Sequence, residues 1–511
     1  MKAHYLIALL LLSSCVAQTT NSPTPNGQNA QQYPQQYPDP TRAPPLISPI
    51  LATAHPPILP DNPSLSPAPT PIIPEAHTQY TLTAVLNYGQ RFLLVDEQID
   101  YLNQAAEYIA NLVLMVEPLY YSGVFRLNGL SWGDGRPIEN YEFKNSQLHI
   151  PLPQVLAPGE RVALSLSYEL NLPSPTPSPE TRPVPFGYTT RQVNLVDWYP
   201  FVPPYKEGQG WVAHPAGYFG EHLVYDVADF DVSLRLADQR TDLTIAASAE
   251  AERRGEWLHY SHPAARNFAW SVSHQYLLAE KRVGGVLVRS YMFPHHKDAG
   301  EAALDTTANA LALFTDLFGA YPRRLLSVVE ADFLDGMEYD GMYFLSNGFY
   351  NLYRGSPSEF LIALAAHETA HQWFYALVGN DQALEPWLDE ALCTYSERLY
   401  YEHYYPEALD WWWTYRVQYY QPRGWVDGSI YNPQGYRAYR DAVYLNGAVF
   451  LEELRKMVGD AAFFAILRSY VEEYSYQIAS APDFFALLQQ HSSADIVPLL
   501  NKYFQSSPLP R

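Results

Sequence analysis

His367 and His371 stand four residues apart with Glu368 between them, and Glu390 follows nineteen residues after His371. On a helix, positions i and i+4 lie on one face, one turn apart. Both imidazoles can therefore reach one zinc ion at ~2.0–2.1 Å. Glu390 can add a carboxylate as third ligand. Three protein ligands leave one tetrahedral position open, which marks a catalytic rather than a structural zinc. Glu368 is then the general base for a water activated by that ion, and the chemistry is hydrolysis.

Two helices must hold these groups face to face. The apolar run from Phe360 to Val378, with Leu361, Leu364, Ala365, Trp373 and Leu377, predicts the first, with Ser358 as N-cap and Gly379 as its stop. Glu385-Pro386-Trp387 breaks the chain. A second helix then carries Glu390 on its first turn, with Leu388, Ala391, Leu392 and Tyr395 as its apolar face.

Several segments around these helices resemble one family. His371-Gln372-Trp373-Phe374 and Trp387-Leu388-Asp389-Glu390-Ala391 are similar to the gluzincin metallopeptidases of the aminopeptidase N family. Asp335-Gly336-Met337-Glu338-Tyr339 resembles the family's G-x-M-E-N exopeptidase motif, and Val443-Tyr444-Leu445-Asn446-Gly447 its tyrosine segment. Phe318-Gly319-Ala320-Tyr321-Pro322 before a strand at Leu325 to Glu330 fits as well. The likeness runs from about Tyr80 to the C-terminus and is strongest from Phe318 to Gly447.

The resemblance implies His367, His371 and Glu390 as ligands of one zinc ion per chain, and peptides as substrates. It implies Glu368 as base and Tyr444 as donor to the oxyanion. Glu338 is expected to bind the substrate's α-ammonium through a charge-assisted hydrogen bond, with Gly336 and Met337 beside it. Tyr439 either assists Tyr444 or is structural. Asp389 either orients a ligand or stabilises a helix N-terminus. Asp335 and Tyr339 depart from the motif's glycine and asparagine, and Asn446 stands where a lysine is usual. Those departures fall on the segment that reads the substrate's amine. An endopeptidase using the same metal centre is therefore the alternative to an aminopeptidase. A noncatalytic peptide-binding lipoprotein is a third reading, against which the intact Glu368 speaks.

The rest of the chain bounds where such chemistry works. A formal charge of −22 over 511 residues excludes nucleic acid and anionic membrane surfaces as direct ligands. Met1-Lys2, the apolar stretch Leu6 to Leu12 and Leu12-Ser13-Ser14-Cys15 read as a lipoprotein signal peptide over residues 1–15, with Cys15 lipidated. The expected location is the bacterial cell envelope outside the cytoplasm, with membrane contact only through that anchor. The other cysteine, Cys393, reads as a small buried hydrophobe.

Residues 16–79 hold sixteen of the 43 prolines and predict a disordered linker. Residues 80–290 form a β-rich domain: Val162, Leu164, Leu166, Tyr168 and Leu170 alternate, as do Phe230, Val232, Leu234 and Leu236. This matches the saddle-like N-terminal domain that the resemblance implies. Pro173 to Pro185 reads as a loop, and Trp198, Tyr199 and Trp211 as core. Residues 291–511 are then the α/β, mostly helical, thermolysin-like peptidase domain, with helices at Ala302–Phe318, Gly447–Val458, Asp460–Tyr470 and Pro482–Gln490. The large C-terminal helical domain of many relatives is absent from this pattern, which predicts a more open cleft.

Overall fold

The computed structural model describes residues 77–174, 184–238, 240–507 and 509. Cys15, the signal segment and the linker as far as residue 76 lie outside the described residues, as does most of the Pro173–Pro185 loop.

Alternating side chains build the first half. In the strand Thr78–Asn87, Tyr80, Leu82, Ala84 and Leu86 are buried and the residues between them are more exposed. Such a period-two pattern places one face on a core. This strand begins two residues before the expected domain start at Tyr80. It is the centre of a seven-stranded sheet, ordered Ala251–Arg254, Trp257–Ala265, Ala228–Leu236, Thr78–Asn87, Phe92–Leu102, Arg161–Asn171 and Phe125–Trp132. A four-stranded, a three-stranded and a two-stranded sheet complete the β-rich half among the described residues. Trp198 and Tyr199 are buried in its core, while Trp211 is only half-buried, against Tyr101 and Tyr205.

A five-stranded mixed sheet carries the second half, ordered Leu277–Val283, Val286–Met292, Leu325–Ala331, Met342–Ser346 and Gly336–Tyr339. Val286–Met292 pairs in parallel with Leu325–Ala331. The hairpin Leu277–Met292, upstream of the boundary expected between residues 290 and 291, thus belongs to this sheet. Alternation announces a strand but not the sheet it joins. Both faces of this sheet are covered. Val288, Leu326, Val328, Tyr343 and Leu345 pack with the helices, while Tyr291, Val329, Met342 and Phe344 pack into the core of the β-rich half. Accordingly Leu325–Ala331 is buried at every position, as sheets covered on both faces require.

The longer helices among the described residues are α1 (Lys297–Phe318), α2 (Phe360–Ala370), α3 (Trp387–Tyr404), α4 (Gly447–Val458), α5 (Asp460–Tyr474) and α6 (Ala481–His491). Helix α1 starts five residues earlier than the pattern suggested. Helix α2 is shorter than its apolar run: it ends at Ala370 instead of Val378, and its N-cap is Glu359, not Ser358. The buried Arg266 guanidinium explains the early stop. It donates to the carbonyls of Tyr375 (3.1 Å), Ala376 (3.2 Å) and Leu377 (3.3 Å), so these residues follow a turn with Tyr375 at φ 145°. Gly379 is needed for space rather than as a stop, because a Cβ there would lie 2.6 Å from the Arg266 guanidinium carbon.

Candidate active site

Helices α2 and α3 bring the expected metal donors together. His367 Nε2 lies 3.2 Å from His371 Nε2 and 3.2 Å from Glu390 Oε2, and His371 Nε2 is 3.6 Å from that oxygen. Donors around a tetrahedral zinc with ~2.0–2.1 Å bonds are ~3.3–3.4 Å apart. The triangle therefore fits that ion. The outer ring nitrogens are engaged elsewhere: His367 Nδ1 is 3.0 Å from Glu397 Oε1, and His371 Nδ1 is 3.2 Å from the Phe374 carbonyl. Those acceptors place the protons on Nδ1, leaving both Nε2 lone pairs to converge on the Glu390 carboxylate.

Charge favours a cation at this point. Burial pulls His367 down, but its hydrogen bonds to Glu390 and Glu397 outweigh that and carry it up to about 9. The field that would hold a proton there equally favours a metal ion. Glu397 is itself held by Arg416 (2.7 and 2.9 Å) and by the Trp412 indole N–H (2.9 Å). Neither Glu397 nor Arg416 was singled out from sequence. Glu397 follows Glu390 by seven residues, two turns along the same helix, which is the signal that could have found it.

Glu368, the expected base, comes from the turn between the histidines. Burial pushes the Glu368 carboxyl up to about 8, with His367 and His371 opposing. Its Oε2 is buried without a hydrogen-bond partner. A Cβ on Gly336 would lie 1.9 Å from Glu368 Oε1, so the strand Gly336–Tyr339 packs its main chain directly on the base. Gln372 docks that hairpin, donating to the Tyr339 carbonyl (3.0 Å) and accepting from Gly341 N–H (2.9 Å). Asp335 has φ 88°, a left-handed conformation that suits glycine, which the resemblance expects at that position. Its own Oδ1 accepts from Gly336 N–H (3.1 Å), and Tyr436 donates to its Oδ2 (3.1 Å).

Glu338 is buried on the same strand, with its Oε1 accepting from Gln382 (3.0 Å). One oxygen each of Glu338 and Glu368 and one nitrogen of His371 lie within 4.8 Å of one another. Period-two alternation turns Met337 the other way, into the core of the β-rich half. Met337 can therefore offer a substrate only its main chain. Glu221, half-buried and contributed by the β-rich half, reaches within 4.8 Å of Glu338 and Glu390 oxygens. It was not legible in the sequence, since no local pattern marks a loop that meets a site more than a hundred residues away.

Tyr444 donates to Glu390 Oε1 (2.5 Å), and its ring is stacked 6.1 Å from that of His367. Burial and the neighbouring Glu390 push its hydroxyl up, so it remains a proton donor. It lies on a π-helical stretch, Asp441–Asn446, that leads into α4. Gly447 permits that entry, because a Cβ there would lie 2.5 Å from Ala391 Cβ on α3. Tyr439 is fully buried, T-shaped against Tyr444 and packed on Phe219, and forms part of the wall. Asp389 accepts from Glu390 N–H (2.9 Å) and from Gln382 (2.9 Å), which makes it a first-turn cap and an anchor for Gln382. Cys393 is buried, and burial pushes its thiol up.

Residues 302–503 match the Peptidase family M1 domain, and the chain is similar over part of its length to proteins named aminopeptidases. It is 28% identical to Aminopeptidase M1-B of Oryza sativa subsp. japonica over 241 residues, which cover 44% of this chain and 28% of that protein. It is 23% identical to Aminopeptidase N of Lactobacillus delbrueckii subsp. lactis over 305 residues, covering 55% of this chain and 36% of that one. The chain thus matches only about a third of the length of these relatives. Among solved structures, the M1 zinc metallopeptidase of Deinococcus radiodurans shares the fold with a TM-score of 0.59 at 20% identity, covering 85% of this chain and 94% of that one. A mutant of that protein bound to a Tyr-Ser-Ala substrate gives the same score and identity, covering 85% of this chain and 96% of its own.

Proposed function

We propose that this protein hydrolyses peptide bonds with zinc and removes N-terminal amino acids from peptides. The observation that carries the reading is the convergence of His367 Nε2, His371 Nε2 and Glu390 Oε2 within 3.2–3.6 Å, with Glu368 beside them. Zinc held there supplies Lewis acidity to a carbonyl and lowers the pKa of a water toward ~7. Glu368 takes a proton from the attacking water and passes it to the leaving amine. Gly336–Tyr339 is an edge strand, and its outer main-chain groups can orient an extended peptide by strand addition. Glu338 and Glu221 offer carboxylates to the α-ammonium at one end of that strand. The Tyr444 hydroxyl donates to the oxyanion that develops on the scissile carbonyl. The relatives named aminopeptidases, and the substrate-bound Deinococcus neighbour, support the same reading.

The test is metal analysis together with hydrolysis of matched free and N-acetylated peptides. About one zinc per chain and faster cleavage of the free peptides are expected, with the preference lost in Glu338→Ala. Equal cleavage of both peptides by the wild type makes the protein an endopeptidase. Zinc-free protein with full activity overturns the metal reading.

We further propose that Cys15 carries lipid and tethers the enzyme to a membrane in a bacterial envelope. Leu12-Ser13-Ser14-Cys15 after the apolar stretch supports this. Labelled fatty acid should enter the wild type and not Cys15→Ser; equal labelling rejects the anchor.

A further inference from the structure

Gln382 stands between two buried carboxylates. Its side-chain nitrogen donates to Glu338 Oε1 at 3.0 Å and to Asp389 Oδ2 at 2.9 Å. An amide nitrogen carries two protons, so both are used. All three side chains are buried. They come from three different elements: the edge strand, the loop before α3, and the first turn of α3. Asp389 Oδ1 then accepts from Glu390 N–H at 2.9 Å. An unbroken chain of hydrogen bonds thus runs from Glu338 through Gln382 and Asp389 to the main chain of the metal ligand Glu390.

The loop under Gln382 is fixed on both sides. Asp381 Oδ2 is 2.9 Å from His214 Nε2 of the β-rich half, and Asp381 Oδ1 accepts from Leu384 N–H at 3.1 Å. The Ala383 carbonyl accepts from Ile430 N–H at 3.1 Å. Gln382 therefore presents its amide from a rigid base.

A neutral double donor has a specific use here. Glu338, Glu368, Asp389 and Glu390 crowd four carboxyl groups into one buried volume, where charges of like sign repel strongly. Glu338 can hold one position only if something donates to it. A carboxylate at residue 382 would add to the repulsion, and an asparagine is too short to span both acceptors. We infer that Gln382 is the positioning residue for amine recognition: it clamps Glu338 at a fixed distance from the metal ligands, and so sets where the substrate's N-terminus must lie. This rests on the aminopeptidase reading above. It assigns Gln382 no contact with the scissile bond, so cleavage that does not use the amine should be indifferent to it.

Gln382→Met keeps the length of the side chain and removes both N–H groups; Gln382→Glu is isosteric and replaces the donor by an acceptor. Zinc content, kcat and KM are measured for the wild type and both variants on matched free and N-acetylated peptides. The expected result is wild-type zinc content, unchanged cleavage of the acetylated peptides, and a rise in KM for the free peptides on the order of 10- to 100-fold, as losing a hydrogen bond to a charged group implies. A wild type without preference for free amines overturns the aminopeptidase reading and this inference with it. A wild type with that preference, and a folded variant that keeps the full ratio, overturns this inference alone. Equal losses on both peptides, or loss of zinc, would make Gln382 a general structural support and also reject it.

Discussion

Gly336 and Glu368 are in main-chain to side-chain contact: there is no room for a methyl group between the strand that would orient the substrate and the carboxylate that would activate water. The Glu368 carboxylate is thus positioned by what residue 336 lacks. Gly336→Ala should push Glu368 aside while leaving the three metal donors untouched. A displacement of about 1 Å at a reacting group can cost on the order of 10²-fold in rate. Full zinc content with a kcat reduced to that extent is expected; wild-type kcat in Gly336→Ala would show that the base tolerates displacement.

Tyr444→Phe removes a hydroxyl and keeps the ring that stacks near His367. An oxyanion donor acts in the transition state more than in the ground state. Both kcat and kcat/KM should fall by roughly 10²–10³ with KM little changed. Tyr439→Phe serves as the comparison, because Tyr439 is a buried part of the wall. A crippled Tyr439→Phe beside a near-normal Tyr444→Phe would reverse the two roles.

Glu397 fixes the tautomer and orientation of His367. Glu397→Gln should lower zinc affinity by about 10–100-fold, the usual cost of losing an outer-sphere partner of a ligand. Competition with a chelator reads this directly, without reference to turnover. Unchanged affinity in the folded variant would limit Glu397 to its ion pair with Arg416.

Asp340 anchors the turn of the hairpin formed by Gly336–Tyr339 and Met342–Ser346. It is buried in a pair with Arg323 (2.8 Å) and lies near His262. Burial raises its carboxyl, but Arg323 and His262 outweigh that and hold it well below the usual carboxylate range. A depressed folded value stabilises the fold above the unfolded pKa of ~3.9, and that contribution disappears as pH falls through the folded value. The Tm of the wild type should therefore drop more steeply below about pH 4 than that of Asp340→Asn. The variant should be less stable at neutral pH by about 3–5 kcal/mol, since Arg323 is left buried without its partner. Parallel acid profiles for the two proteins would remove Asp340 from the account.

The sequence alone picked out the candidate metal donors, the candidate base and the β-rich then helical order of the chain. Those rest on short-range spacing: four residues between histidines set one helix face, nineteen set the next helix, and period two marks a strand. It could not place the hairpin Leu277–Met292, because sheet membership is decided by backbone partners distant in sequence. Nor could it end α2 at Ala370, since that stop depends on Arg266 arriving from more than a hundred residues upstream to take the Tyr375 and Ala376 carbonyls. Glu221, Glu397, Arg416 and Gln382 are ordinary polar residues in the sequence. Only the tertiary structure brings them to the site, where burial makes each unpaired charge costly and so gives each hydrogen bond a role.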